Sequence, residues 1–121
     1  MKLSCSEIFI TIATENVQLS ADFYQQLLEL KPKISRLPAY VEFEFENLRL
    51  AIFKPKADHQ AEFVSRTSSM SLCLELEDLD RAIAHLSDLG YPPPGEVIQA
   101  SHGREIYAYD PDGNRLILHQ S

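Results

Sequence analysis

The stretch H102-GREIYAYDPDGNRLILH-Q120 decides how the chain is read. Ile106 and Ala108 alternate with polar neighbours and face Leu116 and Leu118 across Asp110–Asn114. That DPDGN segment is a turn built from residues that tolerate fixed or left-handed φ. The result is a hairpin with one apolar face and a second face carrying Glu105, Tyr107, Ile117 and His119. Working back, EVIQA (96–100) is a short strand, and DLDRAIAHLSDLG (78–90) is a helix with the stripe Leu79, Ile83, Leu86 and Leu89, stopped by Gly90 and the prolines beyond. MSLCLELE (70–77) is an alternating strand with Leu72, Leu74 and Leu76 on one face and Ser71, Cys73 and Glu75 on the other.

The first half repeats this order. EIFITIAT (7–14) is a strand with Ile8, Ile10 and Ile12 opposite Phe9, Thr11 and Ala13. NVQLSADFYQQLLEL (16–30) is a helix capped by Asn16, with Leu19, Phe23, Leu27 and Leu30 as its stripe, and KPKIS breaks it at Pro32. YVEFEFENLRLAIF is a hairpin of Tyr40–Phe45 with Leu48–Phe53 around Glu46 and Asn47. Val41, Phe43, Phe45, Leu48, Leu50 and Ile52 share one face, leaving Glu42, Glu44, Arg49, Ala51 and Phe53 on the other. KPKADHQAEFVSRTSS (54–69) has no period and reads as a connection. Both halves are therefore strand, helix, strand, strand, strand, with Phe9 corresponding to Ser71 and Ala51 to Ile117. The expected fold is α+β: two tandem βαβββ modules, about 6–54 and 70–120, joined by a linker at about 55–69. A helix covers the apolar face of each sheet, and the second faces line a cleft.

Composition narrows the function. The 121 residues are 45% hydrophobic and 24% charged, values of a globular chain. The net charge of −7 opposes phosphate backbones, so nucleic acid is not an expected partner and cationic small molecules are favoured. The amino-terminal segment resembles neither a signal peptide nor a membrane span, so no membrane partner and a cytoplasmic location are expected. Cys5 and Cys73 have neither zinc-site nor disulfide spacing.

With FYQQLLEL after the first strand and DPDGNRLIL before the end, the paired modules resemble the vicinal oxygen chelate superfamily of glyoxalase I, extradiol dioxygenases and bleomycin-resistance proteins. In its metal-dependent members, four side chains from the first, fourth, fifth and eighth strands hold a divalent ion. The corresponding residues here are Phe9, Ala51, Ser71 and Ile117. Three have no donor atom and a lone serine is a poor ligand, so neither metal nor cofactor is expected. HGREIYAYDPDGN is similar to the ending of the metal-free bleomycin-resistance branch, whose members bind cationic aromatic drugs stoichiometrically.

That resemblance implies a metal-independent, homodimeric binding protein that sequesters an aromatic or cationic compound and is not an enzyme. The candidate ligand-binding residues are Phe9, Glu42, Glu44, Arg49, Phe53, Glu75, His102, Arg104, Glu105, Tyr107 and His119. Carboxylates beside aromatic faces suit a planar cation. Glu42 and Glu44 are alternatively the solvent face of an edge hairpin, His102 an idle loop residue, and Arg104 the partner of a neighbouring Glu. No nucleophile and base pair stands out. The competing reading is a glyoxalase-like or dioxygenase-like lyase, isomerase or oxygenase with metal at unorthodox positions, starting from Glu75 and His119.

Overall fold

The computed structural model describes residues 4–64 and 68–121. Two compact units, Met1–Phe63 and Val64–Ser121, each carry a four-stranded sheet. In the first unit, β1 (Ile10–Ala13) is followed by α1 (Val17–Leu28), β2 (Ile34–Arg36), β3 (Tyr40–Phe45) and β4 (Leu48–Phe53). The sheet order is β1-β4-β3-β2, with β1 parallel to β4. The second unit repeats this plan with β5 (Leu72–Glu75), α2 (Leu79–Asp88), β6 (Ile98–Ala100), β7 (Gly103–Tyr109) and β8 (Arg115–Gln120) in the order β5-β8-β7-β6. The fold is the expected pair of βαβββ modules.

Each sheet buries the face that alternation assigns to its core. Val41, Phe43, Leu50 and Ile52 are buried in the first unit, and Ile106, Ala108, Leu116 and Leu118 join Leu79 and Leu86 of α2 in the second. The registers pair Val41 with Ile52 and Ile106 with Leu118. Phe45 pairs with Leu48 as expected, yet is 48% exposed because it lies at the open turn end of the hairpin.

Four details differ from the sequence reading. β1 begins at Ile10, so Ile8 lies before the ladder and is 87% exposed. The buried side of α1 is Val17, Ser20, Ala21, Phe23 and Tyr24, while Leu19 faces outward. Positions 17, 20, 21 and 24 form a helical stripe of their own, and small residues at two of them let the helix approach closely. α1 ends before Pro32 acts, with Glu29 in the left-handed region, and the KPKIS breaker contributes residues to β2. The segment read as a connection contains a 3₁₀ helix over Ala57–Phe63, whose Phe63 packs edge-on to Phe53 at 5.3 Å between ring centroids. Residues 65–67 of that segment lie outside the described residues. Among the described residues, no helix is long and apolar enough to cross a membrane.

Candidate functional site

In the second unit, register places three polar residues in one row. β8 pairs with β5 so that His119 lies opposite Glu75, and with β7 so that it lies opposite Glu105. Directly opposed residues share a face, so all three project away from α2. The turn before β7 brings His102 over the row, where its ring stacks on that of His119 with centroids 4.9 Å apart and planes 16° from parallel. His102 Nε2 is 3.0 Å from Glu105 Oε1. His119 Nδ1 lies 2.5 and 2.9 Å from the two Glu75 oxygens, and the Ser121 hydroxyl donates to Glu75 Oε1 at 2.6 Å.

These contacts have electrostatic consequences. Hydrogen bonds from Ser121 and His119 hold the Glu75 carboxyl below its ordinary value, and the bond to Glu75 raises His119 while burial opposes the rise. With the Nδ1–H of His119 donating to Glu75, Nε2 is the nitrogen that carries the lone pair in the neutral ring. That Nε2 is buried without a well-formed hydrogen bond, and the His102 backbone beside the ring adds to the upward shift. Next along β5, burial first and the Glu75 and Glu105 charges second push the Cys73 thiol upward, the opposite of an activated nucleophile.

The equivalent face of the first unit holds a different cluster. The Arg49 guanidinium carbon lies 3.8 Å from the centroid of the Phe9 ring, and Arg49 Nε is 3.3 Å from Glu7 and 3.8 Å from Glu42. The Tyr40 hydroxyl donates to Glu42 Oε1 at 2.7 Å. Glu44 pairs with Lys33. β3 is an interior strand and Glu42 is only 5% exposed, so this carboxylate does not belong to the solvent face of an edge hairpin. In the second unit Arg115 takes the place of Arg49, and its Nε donates to Ser71 Oγ at 2.7 Å.

The repeated module, with its two arginines at matching corners, agrees with a direct comparison of the sequence with protein families. The family model described as Glyoxalase/Bleomycin resistance protein/Dioxygenase superfamily matches residues 8–118. The chain belongs to this superfamily. Comparison with curated protein sequences gave no match. Solved structures share the superfamily fold at low identity. A genomically encoded fosfomycin resistance protein from Listeria monocytogenes is 17% identical with a TM-score of 0.78, over 98% of this chain and 95% of that one. A lactoylglutathione lyase from Agrobacterium tumefaciens is 16% identical with a TM-score of 0.70, over 98% and 96%. Protein ATC0852 of the same bacterium is 23% identical with a TM-score of 0.76, over 93% of both chains.

The metal of the superfamily's metal-dependent members does not fit the four corresponding positions. Phe9 lies under Arg49, Ala51 is buried without a donor, Ile117 has none, and the Ser71 oxygen already accepts from Arg115. An arginine thus stands against the first-strand position and another against the fifth, bringing positive charge where a cation would need donors.

The candidate residues therefore fall into separate groups. Glu75, His102, Glu105 and His119 come together, as do Phe9, Glu42 and Arg49. Phe53 is engaged by Phe63, and Tyr107 lies exposed opposite Ile117. Arg104 departs from the reading: alternation puts it on the same face as Ile106 and Ala108, and it forms a paired contact with Asp80 of α2 at 3.0 and 3.4 Å. It therefore points away from Glu105. Sequence reasoning passed over Glu7 and Tyr40, and it weighed Arg115 only as a neighbour of the eighth-strand ligand position. Tyr40 was legible as the same-face neighbour of Glu42, and Arg115 as the repeat counterpart of Arg49.

Proposed function

We propose that this protein is a small-molecule binding protein of the bleomycin-resistance type, one that sequesters an aromatic or cationic compound without using a metal at the superfamily's ligand positions. The observation that carries this reading is the pair of arginines set against two of those positions: Arg49 stacked on Phe9 and Arg115 bonded to Ser71. Chemistry that depends on an ion polarising two vicinal oxygens has no donor set there.

The remaining surface of the same sheet faces favours binding of a planar cation. In the second unit Glu105 lies two residues from Tyr107 on the same face of β7, and the Tyr107 ring is exposed. A flat cation gains both from the negative charge and from the aromatic faces. The resemblance also implies a homodimer, for which sedimentation should give twice the 13.8 kDa chain mass.

Isothermal titration with ethidium and with metal-free bleomycin tests the reading. Saturable binding of either at one ligand per site, unchanged by EDTA and without conversion of the ligand, is the expected result. Failure of both cations to bind, or binding that vanishes with chelator, overturns it.

A further inference from the structure

We propose that His102, Glu105 and His119 form a binding site for a divalent transition-metal ion such as zinc, nickel or cobalt, with Glu75 as the outer carboxylate that orients His119. The site differs from the superfamily's ligand positions, and it draws on Glu105, which also belongs to the surface proposed above for a planar cation.

The geometry points to a cation in three ways. One nitrogen or carboxylate oxygen from each of the three residues lies within 4.8 Å of the others. Donors on one tetrahedral ion, at bond lengths of about 2.0–2.2 Å, stand roughly 3.3–3.6 Å apart, so closure needs movements on the order of 1 Å. The member with room to move is His102, whose side chain is 63% exposed in its turn, whereas Glu105 and His119 are mostly covered.

The second indication is the unsatisfied nitrogen. A buried acceptor without a partner is uncommon because its lost hydration is not replaced. Glu75 fixes the His119 tautomer so that the lone pair sits on that same nitrogen, Nε2. A carboxylate behind a histidine that ligates through its other nitrogen is the usual support of a metal-bound imidazole.

The third indication comes from the internal repeat. Register equates the row Glu75, His119, Glu105 with Ala13, Phe53 and Tyr40 of the first unit. The first unit forms the same strand ladder with an alanine, a phenylalanine and a tyrosine. The fold therefore does not require a histidine and two carboxylates at this row. Two imidazoles and one carboxylate select borderline transition metals over magnesium or calcium, and three protein donors leave a coordination position open.

The test is zinc titration of tag-free protein stripped with chelator, read by competition with a chromophoric chelator, together with the visible spectrum of the cobalt-loaded protein. One equivalent of zinc should bind, and magnesium should not compete. His119→Phe, which copies Phe53, and His102→Ala in the exposed turn should each weaken zinc binding at least 100-fold while leaving the far-ultraviolet circular dichroism unchanged. Glu75→Gln should weaken it about 10- to 100-fold. Absence of zinc binding to the wild-type chain overturns the proposal. So does binding that survives both histidine changes, or that is lost in Cys73→Ser with a thiolate-to-cobalt band in the wild type. Ethidium affinity measured with and without zinc separates the two readings: binding lost on zinc removal sinks metal independence and leaves this site standing.

Discussion

At Tyr40 a single hydrogen bond decides which form of the side chain the fold prefers. Its hydroxyl donates to the buried Glu42, and that bond, reinforced by burial and by the Glu42 charge, raises the phenol above its ordinary value near 10. The folded protein thus holds the phenolic proton more tightly than the unfolded chain does. Its stabilising contribution is complete below about pH 10 and disappears as pH rises through the raised folded value. Nuclear magnetic resonance titration of ¹³Cζ-labelled tyrosine should show Tyr40 ionising above the ordinary phenol value near 10. In Glu42→Gln its midpoint should fall back toward 10. A Tyr40 midpoint unmoved by that change would show that the hydrogen bond is not the cause.

Helix starts and hairpin turns owe their positions to capping and turn chemistry, and in Asn16 and the DPDGN turn that chemistry was legible in the sequence. Asn16 Oδ1 accepts from the Leu19 amide at 3.0 Å, and Asp78 Oδ1 from that of Arg81 at the same distance, so each helix starts where a short polar side chain precedes an apolar stripe. Asn16→Ala should lower stability by about 0.5–2 kcal/mol in urea unfolding. The DPDGN turn depends on Asp110, which is buried and accepts from the amides of Asp112 and Asn114, both at 2.9 Å, and from Asn114 Nδ2 at 2.8 Å. Asp110→Ala strands these donors and should cost about 1–3 kcal/mol, with weakened amide protection concentrated in β7 and β8. A loss no larger than that of an exposed Asp→Ala control would contradict this role. Helix α1 was less legible. Its leucines and its buried stripe compete for the same sheet, and only close approach through Ser20 and Ala21 decides between them. Strand β2 is three residues long, and such a strand is too short to carry a period.

At the scale of the whole molecule, alternation and the repeat made the two-module architecture readable, because each core face needs only apolar residues at every second position. The site was readable in its parts but not in its grouping. Glu75, His102, Glu105 and His119 span 44 positions of sequence between the first and last. Only the pairing of β8 with both β5 and β7 brings them together. Arg104 shows the converse: adjacent to Glu105 in sequence, it belongs to the other face and to Asp80.

Charge is the property that acts over the whole chain at once. With a formal net charge of −7 and a pI near 5.0, the protein presents a negative field to any approaching ligand at neutral pH. Salt shortens the reach of that field from about 30 Å at 0.01 M to about 3 Å at 1 M. Ethidium affinity should therefore fall roughly 3- to 10-fold between 20 and 500 mM sodium chloride, mostly through slower association. A neutral aromatic of similar size should be nearly unaffected, since stacking on Tyr107 does not depend on long-range charge. The comparison is best made by stopped-flow fluorescence, which separates the two rate constants. Equal salt dependence for the cation and the neutral compound would mean that the acidic surplus serves solubility and takes no part in recognition.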